Sequence, residues 1–353
     1  MAEGTSKPRN SARKCRVKTG LTLGKFAPLH RGHQRLIELS LEETDQTLVL
    51  LYDCPELDTP PVNVRRRWIE ELYPQVEVLE AWDGPSETGL DPSITARHDA
   101  YLAKRLQGRT ITHFYSSEPY GEHVSKGLGA IDRRVDVRRE LIPISATQIR
   151  ENPYTHRAFL APNVYRDLVT HVVFVGAPST GKTTIAEALA QKFQTMWMPE
   201  YGREYWEKNQ TDRRLTLEQL VEIAEGHRER EDRLALEANR YLFIDTDATT
   251  TLHFSYYYHN KAHRNLIDLA DSCLDRYDLV FLCASDIPYD DTWDRSGEVL
   301  RSVMQKRIIG DLQSRKRPYY QLEGSLEERC NQAMRILKQF RKYETKQRAE
   351  DSP

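Results

Sequence analysis

Cysteine is scarce in this chain. The five thiols (Cys15, Cys54, Cys273, Cys283 and Cys330) are scattered and form no C-x-x-C pair. That argues against a disulfide framework or a zinc knuckle, and for a reducing compartment. Long apolar runs are also missing, none approaching the about eighteen residues of a membrane span. No hydrophobic segment follows the basic residues near the start, so no secretory signal is read there, and the expected setting is the cytoplasm, with no membrane partner. An excess of positive charge is absent too. With 51 basic and 53 acidic side chains the net charge is −2, which offers no global reason to expect nucleic-acid binding. What remains is a chain of 353 residues, 39% hydrophobic and 29% charged, expected to form a globular protein of about two domains.

The most informative stretch lies near the middle. Val172 to Val175 are apolar and mostly β-branched, and read as a buried strand. Gly176-Ala-Pro-Ser-Thr-Gly181-Lys182-Thr183 follows, and Ile185-Ala-Glu-Ala-Leu-Ala begins a helix. This is G-x-x-x-x-G-K-[ST] in its strand–loop–helix setting. Such glycines let the amides of Gly176, Ser179, Thr180, Gly181, Thr183 and Thr184 turn toward a triphosphate. Lys182 would sit on the β- and γ-phosphates, and the Thr183 hydroxyl on Mg²⁺. A phosphate-binding loop normally follows the first strand of its domain, so another domain must occupy the first half.

Residues 1–16 are polar and basic through Lys7, Arg9, Arg13, Lys14 and Arg16. They read as a disordered leader, too short for a helix-turn-helix. From Val17 onward, strands expected at Val17–Leu23, Thr47–Tyr52, Val76–Leu79 and Thr112–Tyr115 alternate with helices. An apolar patch at Val135–Ile144 then leads into a helix after Ser145. A terminal helix and connector over 152–170 put the domain boundary near Leu168. The second half alternates again. Thr216-Leu-Glu-Gln219 is a capping box opening a long helix with Leu220, Ala224, Leu234 and Ala238 inward and the charged run Arg228–Arg233 outward, as a solvated face. Strands at Tyr241–Asp245 and Asp278–Cys283 follow, then a helix carrying Leu300, Met304, Ile308 and Leu312. The expected architecture is α/β: two doubly wound parallel-sheet domains, spanning 17–168 and 169–340, with a polar tail over 341–353.

Gly24-x-Phe26-x-Pro-x-His30-x-Gly32-His33 places two imidazoles three residues apart at a helix start. Imidazole donors there suit a phosphate that gains charge during substitution. A metal site and a helix-capping turn with incidental histidines are the other readings of the pair.

Residues 24–33 resemble the signature of the nucleotidyltransferase superfamily, which transfers adenylyl or cytidylyl groups from triphosphates. Ile144-Ser145-Ala-Thr147-Gln-Ile-Arg150 resembles its second signature, I-S-x-T-x-x-R. With Ser116–Glu122, which contains Tyr120, and the downstream phosphate-binding loop, the order is similar to that of the NadR-type bifunctional enzymes. The resemblance implies a nicotinamide-mononucleotide adenylyltransferase half and a ribosylnicotinamide kinase half. It implies that His30 and His33 contact ATP phosphates, with Gly24, Phe26 and Gly32 shaping that loop, and that Ser145, Thr147 and Arg150 hold the triphosphate.

In the kinase half the resemblance implies that Asp245 shares Mg²⁺ with Thr183. Glu200 and Asp247 are candidates for a general base or for holding the ribose diol, with Arg203 beside the substrate here and Tyr120 beside that of the other half. For Glu200 a helix cap or a pairing with Arg203 is the plainer reading. Asp286–Arg295 resembles the family's lid entry, with Asp291-Thr292 where Asp-Gly is common, and makes Arg295 a lid arginine or a surface ion pair. Trp68 with Arg65–Arg67 resembles a helix of the adenylyltransferase half whose role is structural. His253, His259 and His263 fit no standard zinc spacing, and Tyr256–Tyr258 suit either core packing or stacking on nicotinamide. The partners implied are nicotinamide riboside, nicotinamide mononucleotide, ATP and NAD, with ATP as co-substrate and Mg²⁺ as cofactor. DNA is not expected, and a homo-oligomer is left open. Two alternatives stand beside this reading: a nucleoside kinase fused to another adenylyltransferase, such as one acting on pantetheine phosphate, and a nicotinamide-nucleotide sensor.

Overall fold

The computed structural model describes residues 17–57, 59–85, 91–211, 214–289 and 298–343. The chain divides into two compact units, Met1–Arg150 and Glu151–Pro353. In the first unit the elements are β1 (Thr19–Gly24), α1 (Arg31–Glu43), β2 (Gln46–Tyr52), α2 (Val62–Leu72), β3 (Glu77–Ala81), α3 (Pro92–Arg105), β4 (His113–Ser116), α4 (Gly121–Leu128), β5 (Ile131–Arg134) and α5 (Ala146–Glu151). All pairings are parallel, in the order β3-β2-β1-β4-β5. Alternating strands and helices allow this, since each helix covers the sheet while returning the chain to its start.

β1 lies at the centre of its sheet, and the neighbours on its two sides follow it in opposite senses. Ligands of such sheets sit at the carboxyl ends of the strands where the order reverses, which is where the loop carrying His30 begins. One side of this sheet packs Leu21, Leu48, Leu50, Phe114 and Val124 into a core cluster. α2 is anchored by Trp68 and Arg65, both fully buried. The Arg65 guanidinium donates to the backbone oxygens of Pro60 and Tyr52, each at 2.8 Å, and of Lys25. It therefore joins the ends of β1 and β2, as the structural reading of that helix anticipated.

The apolar patch at Val135–Ile144 is a loop rather than a continuation of the sheet, and the last strand lies just before it. The cause is Asp136, whose carboxylate accepts from the amides of Glu140 (2.8 Å), Leu141 (3.1 Å) and Ile142 (2.8 Å). Those amides are satisfied locally and need no neighbouring strand.

The second unit holds α6 (Pro162–Leu168), β6 (Thr170–Val175), α7 (Lys182–Phe193), β7 (Trp197–Met198), α8 (Tyr201–Asn209), α9 (Leu217–Ala235), β8 (Tyr241–Asp245), α10 (Ala248–His259), α11 (Arg264–Asp271), α12 (Cys273–Arg276), β9 (Leu279–Cys283), α13 (Glu298–Ser314), β10 (Tyr320–Leu322) and α14 (Leu326–Gln339). Its sheet is again parallel throughout, in the order β10-β9-β6-β8-β7. Phe174, Phe243 and Phe281 on the three middle strands are fully buried, in a cluster closed by α7 and α14. Burying side chains of this size stabilises by about 1.5–3 kcal/mol each.

The units divide at Arg150, ahead of the boundary near Leu168 that the sequence suggested. α6 belongs to the second unit, where the Tyr165 hydroxyl donates to Ala238 O at 2.6 Å. The capping box at Thr216 is present as read. The charged run it leads into is not wholly solvated, because Glu231 is completely buried. Among the described residues no helix is long and apolar enough to cross a membrane.

Candidate active sites

The first site forms where β1 gives way to α1. His30 is the N-cap of α1, and its Nδ1 accepts from the Gly32 amide at 3.0 Å. His33 closes a reciprocal capping box, its Nδ1 accepting from the His30 amide at 3.4 Å. Glutamate or glutamine usually fills that return position, and here an imidazole does. The two rings stack with centroids 3.7 Å apart, and Phe26 meets His33 edge-on at 4.8 Å. A Cβ at Gly32 would lie 2.9 Å from His30 Cε1, which is why glycine stands between the histidines.

Burial, with the Arg139 guanidinium adding to it, pushes His30 down to about 4. Burial pushes His33 well below its ordinary value, helped by His30 and Arg139 and opposed by a hydrogen bond from its ring to the Pro28 carbonyl. Both rings are therefore neutral near pH 7. A neutral imidazole that accepts at Nδ1 carries its proton on Nε2. The pair thus caps the helix while each ring keeps an N–H, that of His33 bonded to the Pro28 carbonyl.

The second signature is brought to the same loop. Ser145 caps α5 by exchanging bonds with Gln148, 2.9 Å from the Ser145 amide to Oε1 and 3.3 Å back to Ser145 Oγ. Arg150 donates to Ala27 O at 2.7 Å and to Thr147 Oγ1 at 2.9 Å. Tyr120 reaches the end of β1, its hydroxyl 3.4 Å from Leu23 O. Gly24 and Phe26 form the loop itself, Phe26 with φ 47°. Sequence reasoning passed over Arg139, held at the edge of this site by the Asp136 turn (Arg139 N to Asp136 O, 2.8 Å) and by Glu118 Oε1 at 3.1 Å. Its signal was faint, one of two adjacent arginines beside a second such pair, Arg133-Arg134.

The second site follows β6. Gly176 has φ 146°, and a Cβ there would lie 2.9 Å from Cys283 O and from Thr180 Oγ1. Ser179 (φ 62°) and Gly181 (φ 80°) complete the turn. α7 then starts at Gly181 with no side-chain cap, so its first amides face outward for an anion. Lys182 Nζ donates to Ala177 O at 3.0 Å, and Thr180 Oγ1 to the same oxygen at 2.8 Å. Three further side chains hold the loop from outside. Gln305 Oε1 accepts from the Ala177 amide (2.8 Å), Arg301 Nη2 donates to Ser179 O (3.1 Å) and Arg329 Nη1 donates to Thr180 O (2.7 Å). Their positions on α13 and α14 fit no motif, so the sequence did not reveal them.

Asp245 ends β8 completely buried. Thr183 donates to its Oδ2, and its Oδ1 has no partner. Burial and then Glu200 raise its carboxyl to about 6, with Lys182, Thr183 and His227 working the other way. A buried carboxylate with an open oxygen beside a threonine hydroxyl is a donor set suited to a hard divalent cation.

Asp247 also comes to the site, but both its oxygens serve the fold. Oδ1 accepts from the Thr249 amide (3.0 Å) and hydroxyl (2.5 Å), and Oδ2 from Arg317 Nη1 at 2.7 Å. Burial works to raise its carboxyl, and Arg317 and Thr249 overcome this and leave it lowered. Glu200 occupies the N-cap position of α8 without making a cap bond, and its Oε2 is 3.6 Å from Arg203. Arg295 and the Asp291-Thr292 pair lie outside the described residues.

A cleft of about 1120 Å³ runs from the phosphate loop past Glu200, Arg203 and His227 to Trp206, Tyr257 and Tyr258. The three histidines of the tyrosine-rich region serve separate ends. His253 faces Asp311 at 3.8 Å, His259 Nε2 lies 2.8 Å from Leu215 O, and His263 caps α11. Among the described residues no three His, Cys, Asp or Glu side chains gather as a metal cluster.

Fold and sites define a protein with two nucleotide-handling α/β units, one of nucleotidyltransferase type and one of P-loop type. The chain is similar to proteins of the NadR type. It is 28% identical over 316 residues to the trifunctional NAD biosynthesis/regulator protein NadR of Salmonella typhimurium, covering 82% of this chain and 75% of the relative. To the protein of the same name from Escherichia coli it is 27% identical over 325 residues, 86% of this chain and 78% of the relative. A solved NadR protein in complex with NR superposes with a TM-score of 0.54 at 24% identity, covering 92% of this chain and 96% of that one, and shares the fold. The AAA domain family matches residues 171–329, from β6 into α14.

Proposed function

We propose that the chain carries out two consecutive steps of NAD formation. The second unit transfers the γ-phosphoryl group of ATP to nicotinamide riboside. The first unit joins the resulting mononucleotide to the adenylyl group of a second ATP, forming NAD and releasing pyrophosphate. The observation that carries this reading is a pair of differently built phosphate sites in one chain, one of them opening on a cleft of about 1120 Å³ with room for a nucleoside beside ATP.

In the first unit the nucleophile is an already ionised phosphate of the mononucleotide, so no general base is needed. Its oxygen bonds to the α-phosphorus of ATP as the bond to pyrophosphate breaks. The Nε2–H of His30, and that of His33 once it turns from the Pro28 carbonyl, stabilise the charge that grows there, and Ser145, Thr147 and Arg150 hold the triphosphate. In the second unit a neutral hydroxyl attacks, so its proton must go to a base. Asp247 is committed to Arg317 and to its helix cap, and Asp245 stands with Thr183 in the donor set suited to the metal. Glu200 is left as the base, with Arg203 beside it. Lys182 holds the β- and γ-phosphates, and the loop amides neutralise charge on the leaving ADP. Thr183 and Asp245 would hold Mg²⁺, which screens the phosphate oxygens when bound.

One incubation tests the reading. With nicotinamide riboside, ATP and Mg²⁺, chromatography should show mononucleotide first and NAD later. Absence of mononucleotide from the riboside would overturn the kinase assignment, and absence of NAD from added mononucleotide would overturn the other.

A further inference from the structure

One buried pair in the second unit has no part in the roles assigned so far. His227 on α9 is 5% exposed and forms part of the cleft wall between the phosphate loop and Trp206. One helical turn on, the fully buried Glu231 lies behind it, with Oε1 3.1 Å from His227 Nε2. Glu231 is itself fixed from the end of α12, Oε2 by Arg276 Nε at 2.6 Å and Oε1 by the hydroxyl of the C-cap Tyr277 at 2.8 Å. Burial works to raise the Glu231 carboxyl, and His227, Arg276 and Tyr277 overcome it and bring it down to about 2. An ionised carboxylate this deep is costly to keep unless it is fully paired.

The contact with His227 is close in distance but lacks hydrogen-bond alignment, and Nε2 has no other partner. A modest turn of the ring completes it. With Nε2–H given to Glu231, Nδ1 becomes an acceptor on a ring that lines the cleft. A carboxylate behind an imidazole is the usual device for fixing its tautomer and direction.

We propose that His227 receives a non-reacting ribose hydroxyl of the acceptor nucleoside, and that Glu231 is the positioning residue that holds the ring for it. The inference rests on the kinase reading above. It supplies what that reading lacks, because Asp247, the other candidate for the diol, has both oxygens engaged. The ligand class is a nucleoside with its sugar hydroxyls intact.

The test is steady-state kinase kinetics of the full chain with nicotinamide riboside and its 2′-deoxy and 3′-deoxy analogues. Turnover of the riboside by the wild type tests the kinase reading itself, and the comparisons below are made against that rate. His227→Ala is expected to raise KM for the riboside about tenfold or more, with kcat within about threefold and KM for ATP unchanged. One of the deoxy analogues, penalised in the wild type, should lose that penalty in the variant. Glu231→Gln should shift KM the same way by a smaller factor, and the double variant should match His227→Ala alone. His227→Gln, which keeps an acceptor, should recover part of the loss and covers the case of an Ala variant that folds poorly. Equal KM changes for riboside and both analogues, a fall in kcat alone, or no change would each overturn the proposal.

Discussion

The two phosphate sites solve one problem with opposite materials. Each follows the central strand of a parallel sheet and meets a helix N-terminus. At α1 the first amides of the helix are satisfied by the two histidine side chains. At α7 no side chain caps the helix, and the backbone is left to meet the ligand. The first site is therefore specified by side chains, and the second by the path of the main chain. The difference suits the chemistry: two imidazoles can stand against an α-phosphorus attacked in line, whereas a chain of amides can enclose a whole triphosphate tail.

Crossed substitutions should break the comparison most sharply. Lys182→Ala is expected to lower riboside phosphorylation by about a thousandfold, leaving conversion of mononucleotide to NAD intact. His33→Ala should lower NAD formation by about a hundredfold and leave phosphorylation intact. Separate assays of the two half-reactions check both. If either variant silenced both reactions, the assignment of one reaction to each unit would be wrong.

Glycine substitutions give a smaller contrast, and a more structural one. At Gly176 the φ of 146° and a backbone oxygen, Cys283 O, 2.9 Å from any Cβ leave no way out. Gly176→Ala should destabilise the second unit by about 2–3 kcal/mol in urea unfolding and abolish ATP binding there. At Gly32 the obstacle is the His30 ring, 2.9 Å away and able to rotate. Gly32→Ala should cost about 1 kcal/mol, the worth of a cap, with NAD formation reduced about tenfold. Equal losses at the two sites would contradict the division into a backbone site and a side-chain site.

How much of this was legible beforehand follows the same division. The central strands of both sheets, the phosphate loop and the two signatures of the first unit, one of them carrying both histidines, could be read, because glycine, lysine and histidine at fixed spacing carry local geometry. Asp245 could be read as the acid ending an apolar strand. The roles of Asp247 and Glu200 could not be separated, since the decisive fact is Arg317, distant in sequence. Glu231 was hidden within a charged run that looked solvated, because charge alone does not show which carboxylate meets Arg276 and Tyr277. Gln305, Arg301 and Arg329 support the phosphate loop from helices near the end of the chain, and no spacing connects them to it. Long-range polar partners are what one sequence leaves unread, and here they surround the functional groups.

The last contrast is in stability against pH, and its sign differs between the two sites. Unfolded, His30 binds a proton near its ordinary 6.5, whereas folded it waits until about 4. As pH falls through that window the unfolded chain takes up the proton first, so the contribution of His30 to stability declines from about 6.5 down to about 4, by at most ~1.4 kcal/mol per pH unit. His33 acts in the same direction. Asp245, raised from 3.8 to about 6, does the reverse: the folded chain takes up its proton first, and stability rises as pH falls through that window. His171, buried in the same unit and pushed down to about 4, offsets part of that gain. Variant-minus-wild-type differences remove such offsets. Between pH 7 and 5, the Tm difference of His30→Gln from wild type should move in the variant's favour on acidification. That of Asp245→Asn should move against the variant, having favoured it at pH 7, because the wild-type carboxyl becomes neutral as well. Calorimetric melts across this range check both slopes, and slopes of the same sign would mean that one of the two groups is not buried as described.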